Sequence, residues 1–203
     1  MAASAPRSSP RVAHEVRIIG GQWKRTKLPV ADRPGLRPTP DRVRETLFNW
    51  LGQDLAGWEV VDAFAGTGVL GLEAASRGAV KVLLVEQDSL QVDTLRAVVR
   101  RLSATTVTVE RGNALSVLQR LAPASCDLVL LDPPFDAGLH DMALAAAVPA
   151  LRPGGWLYLE APAAWPEAAL ARLGLALRRY LRAGAVHAHL LQPAGGADTA
   201  SST

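Results

Sequence analysis

Between Trp58 and Glu160, short apolar runs alternate with amphipathic stretches, and this alternation limits the possible folds more than any other feature of the chain. Residues 59–64, 81–86, 106–111, 127–131 and 156–160 read as strands. Residues 70–77, 89–102, 115–121 and 142–151 read as helices. Gly78 ends the first of these, and Pro153-Gly154-Gly155 ends the last. A βαβα succession hides its apolar faces as a parallel sheet with helices on both sides. After it the pattern changes: residues 176–181 and 186–191 flank Arg182-Ala183-Gly184-Ala185 and predict a hairpin. The expectation is an α/β fold with seven strands, mostly parallel, ending in an antiparallel pair.

The segment before Trp58 has a different character. Residues 16–19 and 27–30 predict two short strands around a turn at Gly20-Gly21. Residues 33–40 hold three prolines and one glycine, so they predict an extended linker. Thr39 then caps a helix over 41–51, with Pro40 in the first position and Asp41 in the first turn. Val43, Leu47 and Trp50/Leu51 form its apolar face. Charge follows the same division. Residues 1–49 carry ten Lys/Arg against four Asp/Glu, whereas the remainder carries twelve against fifteen. A basic arm on a mildly acidic body predicts a polyanion partner.

With 203 residues the chain has room for one domain and a small appendage. The expected division is a disordered tail at 1–14, a basic extension at 15–52, the main domain at 53–193 and a second tail at 194–203. No apolar run reaches the roughly 18 residues of a membrane span, and no signal-peptide pattern opens the chain. Cys126 is the only cysteine, which excludes an internal disulfide and a multi-cysteine metal site. No metal, no membrane contact, a cytoplasmic location and a monomer are expected.

Two loops carry the chemistry. The first, Asp62-Ala63-Phe64-Ala65-Gly66-Thr67-Gly68, leaves a strand and opens a helix. Glycine there lets the backbone approach a ligand, and a helix start offers free N–H groups. Residues 66–71 also satisfy the G-x-G-x-x-G dinucleotide pattern, with Glu86 20 residues after Gly66. Asp62 argues against that reading, because its charge opposes a pyrophosphate and favours a cationic amino-acid ligand. Glu86, at a strand end, is placed to accept from ribose hydroxyls. Asn113, followed by Ala114, is placed to reach an adenine edge, although Asn is also common in turns for local reasons.

The second loop, Asp132-Pro133-Pro134-Phe135, follows the most apolar strand. Its prolines stiffen the backbone and remove two donors, leaving a row of fixed acceptors. Such a row suits an –NH2 group. Two hydrogen bonds from an exocyclic amine would favour a pyramidal nitrogen with an available lone pair, and Phe135 can stack on the base.

Together these residues resemble the class I amino-methyltransferases. The N-terminal stretches Arg17-Ile18-Ile19-Gly20-Gly21, Lys27-Leu28 and residues 35–51 narrow the resemblance to the bacterial 16S ribosomal RNA guanine-N2 methyltransferases of the RsmD type. The similarity runs from about Val16 to Gln192. It implies a Rossmann-like fold, S-adenosyl-L-methionine as cofactor, and 16S RNA in the small ribosomal subunit or its assembly intermediate as partner. Asp62, Gly66 and Gly68 would line the methionine end of the cofactor, Glu86 the ribose, and Asn113 and Ala114 the adenine, with Phe64 a further cofactor contact. Asp132, Pro133, Pro134 and Phe135 would receive guanine. Arg37, Thr39 and Arg42 would lie at the site mouth. Arg17, Lys24, Arg25 and Lys27 would meet RNA phosphates, and Trp23 would either stack or pack. Pro40 and the N-terminal tail depart from the family pattern. The Asp-Pro-Pro-Phe loop by itself also allows an adenine-N6 methyltransferase acting on RNA or DNA. Two competing functions are a non-catalytic cofactor binder acting in ribosome assembly and an NAD-dependent oxidoreductase.

Overall fold

A computed structural model describes residues 15–30, 39–135 and 137–195. The expected N-terminal tail, most of the proline-rich linker with Arg37, and most of the C-terminal tail lie outside the described residues.

Strands β1 (Glu15–Arg17) and β2 (Lys27–Pro29) form a small antiparallel hairpin, and α1 (Asp41–Trp50) follows. The alternating region supplies β3 (Glu59–Asp62), α2 (Val69–Ser76), β4 (Lys81–Glu86), α3 (Ser89–Arg101) and β5 (Val107–Arg111). It continues through α4 (Ala114–Gln119), β6 (Cys126–Leu131), α5 (His140–Ala147) and β7 (Leu151–Ala161). The chain then adds α6 (Glu167–Arg172), β8 (Leu175–Ala183) and β9 (Val186–Pro193). The large sheet has the order β5-β4-β3-β6-β7-β9-β8. Its first five strands are parallel, and β9 runs antiparallel to both neighbours. This is the expected mixed sheet. None of its described helices is long and apolar enough to cross a membrane.

The apolar runs explain the layers. Leu128 to Leu131 in β6 are all fully buried, because a central strand has both faces covered. One face of the sheet is covered by the hairpin, α1, α2 and α3, whose Ile18, Leu28, Phe48, Leu72 and Leu95 share a core with Leu84 and Leu128. The other face is covered by α4, α5 and α6, through Val117, Leu144 and Leu170. Every residue of α2 is buried, since this helix lies between the sheet and the hairpin. Glu73 of α2 is therefore buried as well, and it joins the two parts. Its carboxylate accepts from Ile19 N at 2.7 Å and Gly20 N at 2.6 Å. It also receives Arg77 Nη2 at 2.8 Å and faces Arg44 Nη1 at 3.5 Å. Arg44 in turn donates to Arg17 O at 2.7 Å. Gly21 has φ +72°, and a Cβ there would meet Ser76 O at 1.9 Å, so the hairpin turn lies directly on α2. Trp23 packs half-buried against the same core.

Three expectations about secondary structure need correction. The helix predicted over 142–151 ends at Ala147 and continues as a short 3-10 turn, Val148–Ala150. Pro153-Gly154-Gly155 does not terminate a helix but lies within β7, where the register against β6 shifts between Cys126 and Leu128. Proline and glycine are tolerated there because a bulge leaves its residues out of the ladder. Finally, the helix cap falls on Pro40 without a side-chain bond, while Thr39 is buried and turned toward Glu160.

Candidate active site

The carboxyl ends of the parallel strands surround a cavity of about 820 Å³, within the usual range for a small-molecule site. The expected residues Asp62, Phe64, Gly66, Glu86, Asn113 and Ala114 line it. So do Thr39 and the loop Asp132, Pro133, Pro134 and Phe135. Gly68 is the exception. It is the N-cap of α2 at φ +75°, and a Cβ there would strike Leu95 Cδ2 at 2.5 Å. Its lack of a side chain therefore serves the packing of α3 on α2 rather than the cavity wall.

Each carboxylate is fixed by the end of a strand. Glu86 closes β4, and its two oxygens accept from Gly66 N at 3.0 Å and Asp88 N at 2.8 Å. That ties the first loop to the second strand and leaves each oxygen a free lone pair. Asp62 closes β3 and is buried. Its Oδ2 accepts from Gly71 N at 2.9 Å. Burial pushes its pKa up to about 7, aided by the charges of Glu86 and Glu160 and opposed by backbone donors at Gly71 and Phe64. Asp132 directly follows β6, and burial together with Glu160 and Asp62 holds its carboxyl well above the ordinary range.

Glu160 was not anticipated. Leu131 of β6 is paired with Leu159 of β7, so Asp132 and Glu160 emerge side by side. Glu160 accepts from Tyr158 Oη at 2.8 Å and from the Thr39 hydroxyl. Burial raises its pKa, against those two bonds and the charge of Arg44. The rule that picked out Glu86, an acidic residue at a parallel strand end, picks out Glu160 equally.

Asp62, Glu86, Asp132 and Glu160 thus share one cavity, and no described Lys or Arg lines it. Among the described residues no group of three or more such side chains is placed to hold a metal ion. Carboxylates gathered without a lining cation favour a cationic ligand of small-molecule size. A sulfonium amino acid with an attached nucleoside meets both conditions. The local role of Asn113 is now visible: its Oδ1 accepts from Ser116 N at 3.1 Å and caps α4, while its amide nitrogen takes no part in the cap. The cavity mouth is formed by half-exposed Phe135 and by Ala185 and Val186 at the β8–β9 turn.

The basic arm is placed on the hairpin side. Lys24 and Arg25 are exposed in the turn, and Arg42 is exposed on α1. Arg17 is exposed on β1. Lys27 is paired with Glu15 at 2.6 Å, which offsets its charge.

Comparison with known proteins follows the same lines. Residues 16–192 match the family model described as conserved hypothetical protein 95. The chain is 47% identical over 148 residues to the ribosomal RNA small subunit methyltransferase D of Escherichia coli K12, covering 72% of each chain. It is 40% identical over 157 residues to the protein of the same name from Haemophilus influenzae, covering 75% of this chain and 81% of that one. The solved structure of yhhF from Escherichia coli superposes with a TM-score of 0.76 at 36% identity, covering 89% of this chain and 98% of that one. The structure of a hypothetical protein from Thermus thermophilus superposes with a TM-score of 0.69 at 27% identity, covering 86% and 98%. On sequence and fold together, the chain belongs to the ribosomal RNA small subunit methyltransferase D family.

Proposed function

We propose that this protein transfers a methyl group from S-adenosylmethionine to the exocyclic N2 amine of a guanine in 16S RNA of the small ribosomal subunit. One observation carries the reading: Asp132 and the rigid Pro133-Pro134 carbonyl row face the same cavity as three further carboxylates. One part of the cavity suits a cationic donor and the adjoining part suits an amine.

Glu86 would hold the ribose hydroxyls, and the backbone at Gly66 would allow close approach. Asp62 would supply the negative field at the methionine end, while Ala114 and the amide nitrogen of Asn113 would border the adenine. When bound, the cofactor provides an electrophilic methyl group on a cationic sulfur. Asp132 Oδ and the carbonyl of Asp132 or Pro133 accept the two amine protons and turn the nitrogen lone pair toward the cavity. Phe135 covers the base and excludes water, so alignment supplies most of the rate. Transfer leaves an extra proton on the nitrogen. Asp132, present as the carboxylate once the cationic cofactor is bound, takes it, its raised pKa making it the stronger base, and leaves a neutral secondary amine beside a neutral carboxyl. Lys24, Arg25 and Arg42, exposed near the hairpin, would position the RNA through phosphates.

The test is radiolabelled methyl transfer to small-subunit particles that lack endogenous methylation, followed by nucleoside analysis. The expected product is N2-methylguanosine, and Asp132→Ala abolishes it. Label in N6-methyladenosine would refute the choice of base. Replacing Lys24, Arg25 and Arg42 by Glu should weaken particle binding at physiological salt while leaving cofactor affinity intact.

A further inference from the structure

The ring that covers the mouth of the cavity is the first of a continuous row. Phe135 lies 6.2 Å from His140, centroid to centroid. His140 stacks on Trp165 at 5.5 Å with an interplanar angle of 28°. The backbone N–H of Trp165 donates to His189 Nε2 at 3.0 Å. His189 lies 5.2 Å from Tyr180, and Tyr180 Oη is 2.7 Å from His187 Nδ1. The row thus runs from the end of β6 to the β8–β9 hairpin.

Its middle and its ends differ. His140 and His189 are buried, whereas Phe135 is 38% and Tyr180 42% exposed. An exposed tyrosine usually keeps its rotamer freedom, but this one is seated on His189 and tied through its hydroxyl to His187. The result is a fixed aromatic surface open to solvent, which loses little entropy on contact.

Strand geometry brings that surface to the site. Ala161, one residue past Glu160, is paired with His187, and His187 is paired with Arg182. The register of β8 against β9 shifts between Leu177 and Arg179. Past that shift, Tyr180 and Arg182 share a face with their partners His189 and His187. The adjoining turn residues Ala185 and Val186 line the cavity itself.

The charge matches. Residues 162–195 contain four arginines and one acidic residue, Glu167. Arg182 is exposed, and its Nε donates only to the Gly184 carbonyl, at 3.4 Å. Among the described residues no carboxylate pairs with it. A fixed exposed ring beside a guanidinium group without a carboxylate is what single-stranded nucleic acid uses, a base on the ring and a phosphate on the cation. A duplex keeps its base faces stacked inside and cannot use such a ring.

We propose that the β8–β9 hairpin is a second RNA-contact surface, on which Tyr180 stacks under an unpaired nucleotide neighbouring the target base and Arg182 holds the adjoining phosphate. This rests on the reading that the acceptor is an RNA base covered by Phe135. It places single-stranded RNA along the carboxyl edge of the sheet, from Phe135 toward β8, on the opposite face from the N-terminal hairpin. The substrate it selects is a loop or an unstacked segment rather than a helix.

The test uses the full chain with a short fluorescein-labelled single-stranded oligoribonucleotide of mixed sequence, read by anisotropy. Tyr180→Ala and Arg182→Glu should each weaken binding about tenfold. Tyr180→Phe should stay within about twofold, because the ring remains. Only Arg182→Glu should flatten the salt dependence. Affinity for S-adenosylmethionine, by calorimetry, should be unchanged in all three. On ribosomal particles, Tyr180→Ala should raise KM with little change in kcat. If the wild type methylates particles and Tyr180→Ala and Arg182→Glu match it in both assays, the hairpin surface is wrong and the proposed function stands. If those variants lose particle methylation but keep oligonucleotide affinity, the hairpin meets protein instead, and the proposal falls. If the wild type neither binds the oligonucleotide nor methylates particles, both readings fall together.

Discussion

Replacing Asp62 by Asn should change how the stability of the ligand-free protein depends on pH. A carboxyl moved from 3.8 to about 7 costs the folded state on the order of 4 kcal/mol to ionise, at about 1.36 kcal/mol per pH unit. The sign follows from the direction of the shift. Between those two values the unfolded chain has lost the proton and the folded chain has kept it. Stability from this group is therefore full below pH 3.8 and is lost as pH rises through 7. Asp132 and Glu160 act in the same direction. The buried imidazoles of His140 and His189 act oppositely, since burial lowers their pKa values and favours folding as pH rises toward 6.5. The difference between wild type and Asp62→Asn reports this carboxyl together with its coupling to Asp132, whose pKa the charge of Asp62 helps to raise. Asn keeps an acceptor for Gly71 N but carries no charge. Urea unfolding from about pH 4.5 to 8 should show the variant gaining on the wild type by about 2–4 kcal/mol. Parallel profiles would refute the buried, proton-holding carboxyl and weaken the argument for a cationic ligand. Saturating S-adenosylmethionine should shrink the difference, because a bound cation replaces the proton.

Glu73→Ala should destabilise the protein by about 3–5 kcal/mol, since it leaves Arg77 buried without its carboxylate, Arg44 with Asp41 alone, and the Ile19 and Gly20 N–H groups without an acceptor; chemical denaturation measures this. The same change should open the β1–β2 hairpin to proteolysis near Gly20 while β4 stays protected, and uniform protection would refute the anchoring role. Glu86→Ala should weaken S-adenosylmethionine binding at least tenfold, or about 1.4 kcal/mol, because it removes the proposed ribose acceptor and leaves Gly66 N without its partner. Unchanged affinity by calorimetry would take Glu86 out of the site.

What could be read from the sequence depended on how local the cause was. The bounds of β4 are those expected, because its apolar run Val82 to Val85 lies between the charged residues Lys81 and Glu86 and is preceded by Gly78 and followed by Gln87-Asp88. The Asp62-to-Gly68 loop was legible as strand, turn and helix start. Its glycines were not separable in role: Gly66 faces the cavity, whereas Gly68 answers to Leu95, 27 positions away. Thr39 looked like a helix cap because a Thr before Pro-Asp has that local pattern, but its partner is Glu160 on a distant strand. Pro153-Gly154-Gly155 looked like a helix terminator because a β-bulge leaves the same local mark. The helix α6 gave little signal, since Leu170 is its only buried residue. The basic character of residues 162–195 was hidden by averaging charge over everything after Asn49, which includes the acidic strand ends of the cavity. The joining of Asp132 to Glu160 depends on strand order, which no local pattern encodes.

Strand β9, the last of the described elements, is not at the edge of the sheet. It enters between β7 and β8, both made before it. Until residues 186–193 are available, β7 has an open ladder on one side and β8 has no strand partner at all. Strand β9 pairs locally with β8 across the Gly184-Ala185 turn, so the sheet closes when this hairpin docks on β7, and a non-local pairing such as Leu157 with Leu191 forms slowly. A chain that stops at Gly184 would leave Tyr158 to Ala161 as an exposed template for self-association and would lose the wall behind Glu160. Assembly of the cavity wall is thus tied to the arrival of residues 186–193, and a product truncated before them is expected to aggregate rather than to persist in a partly folded form.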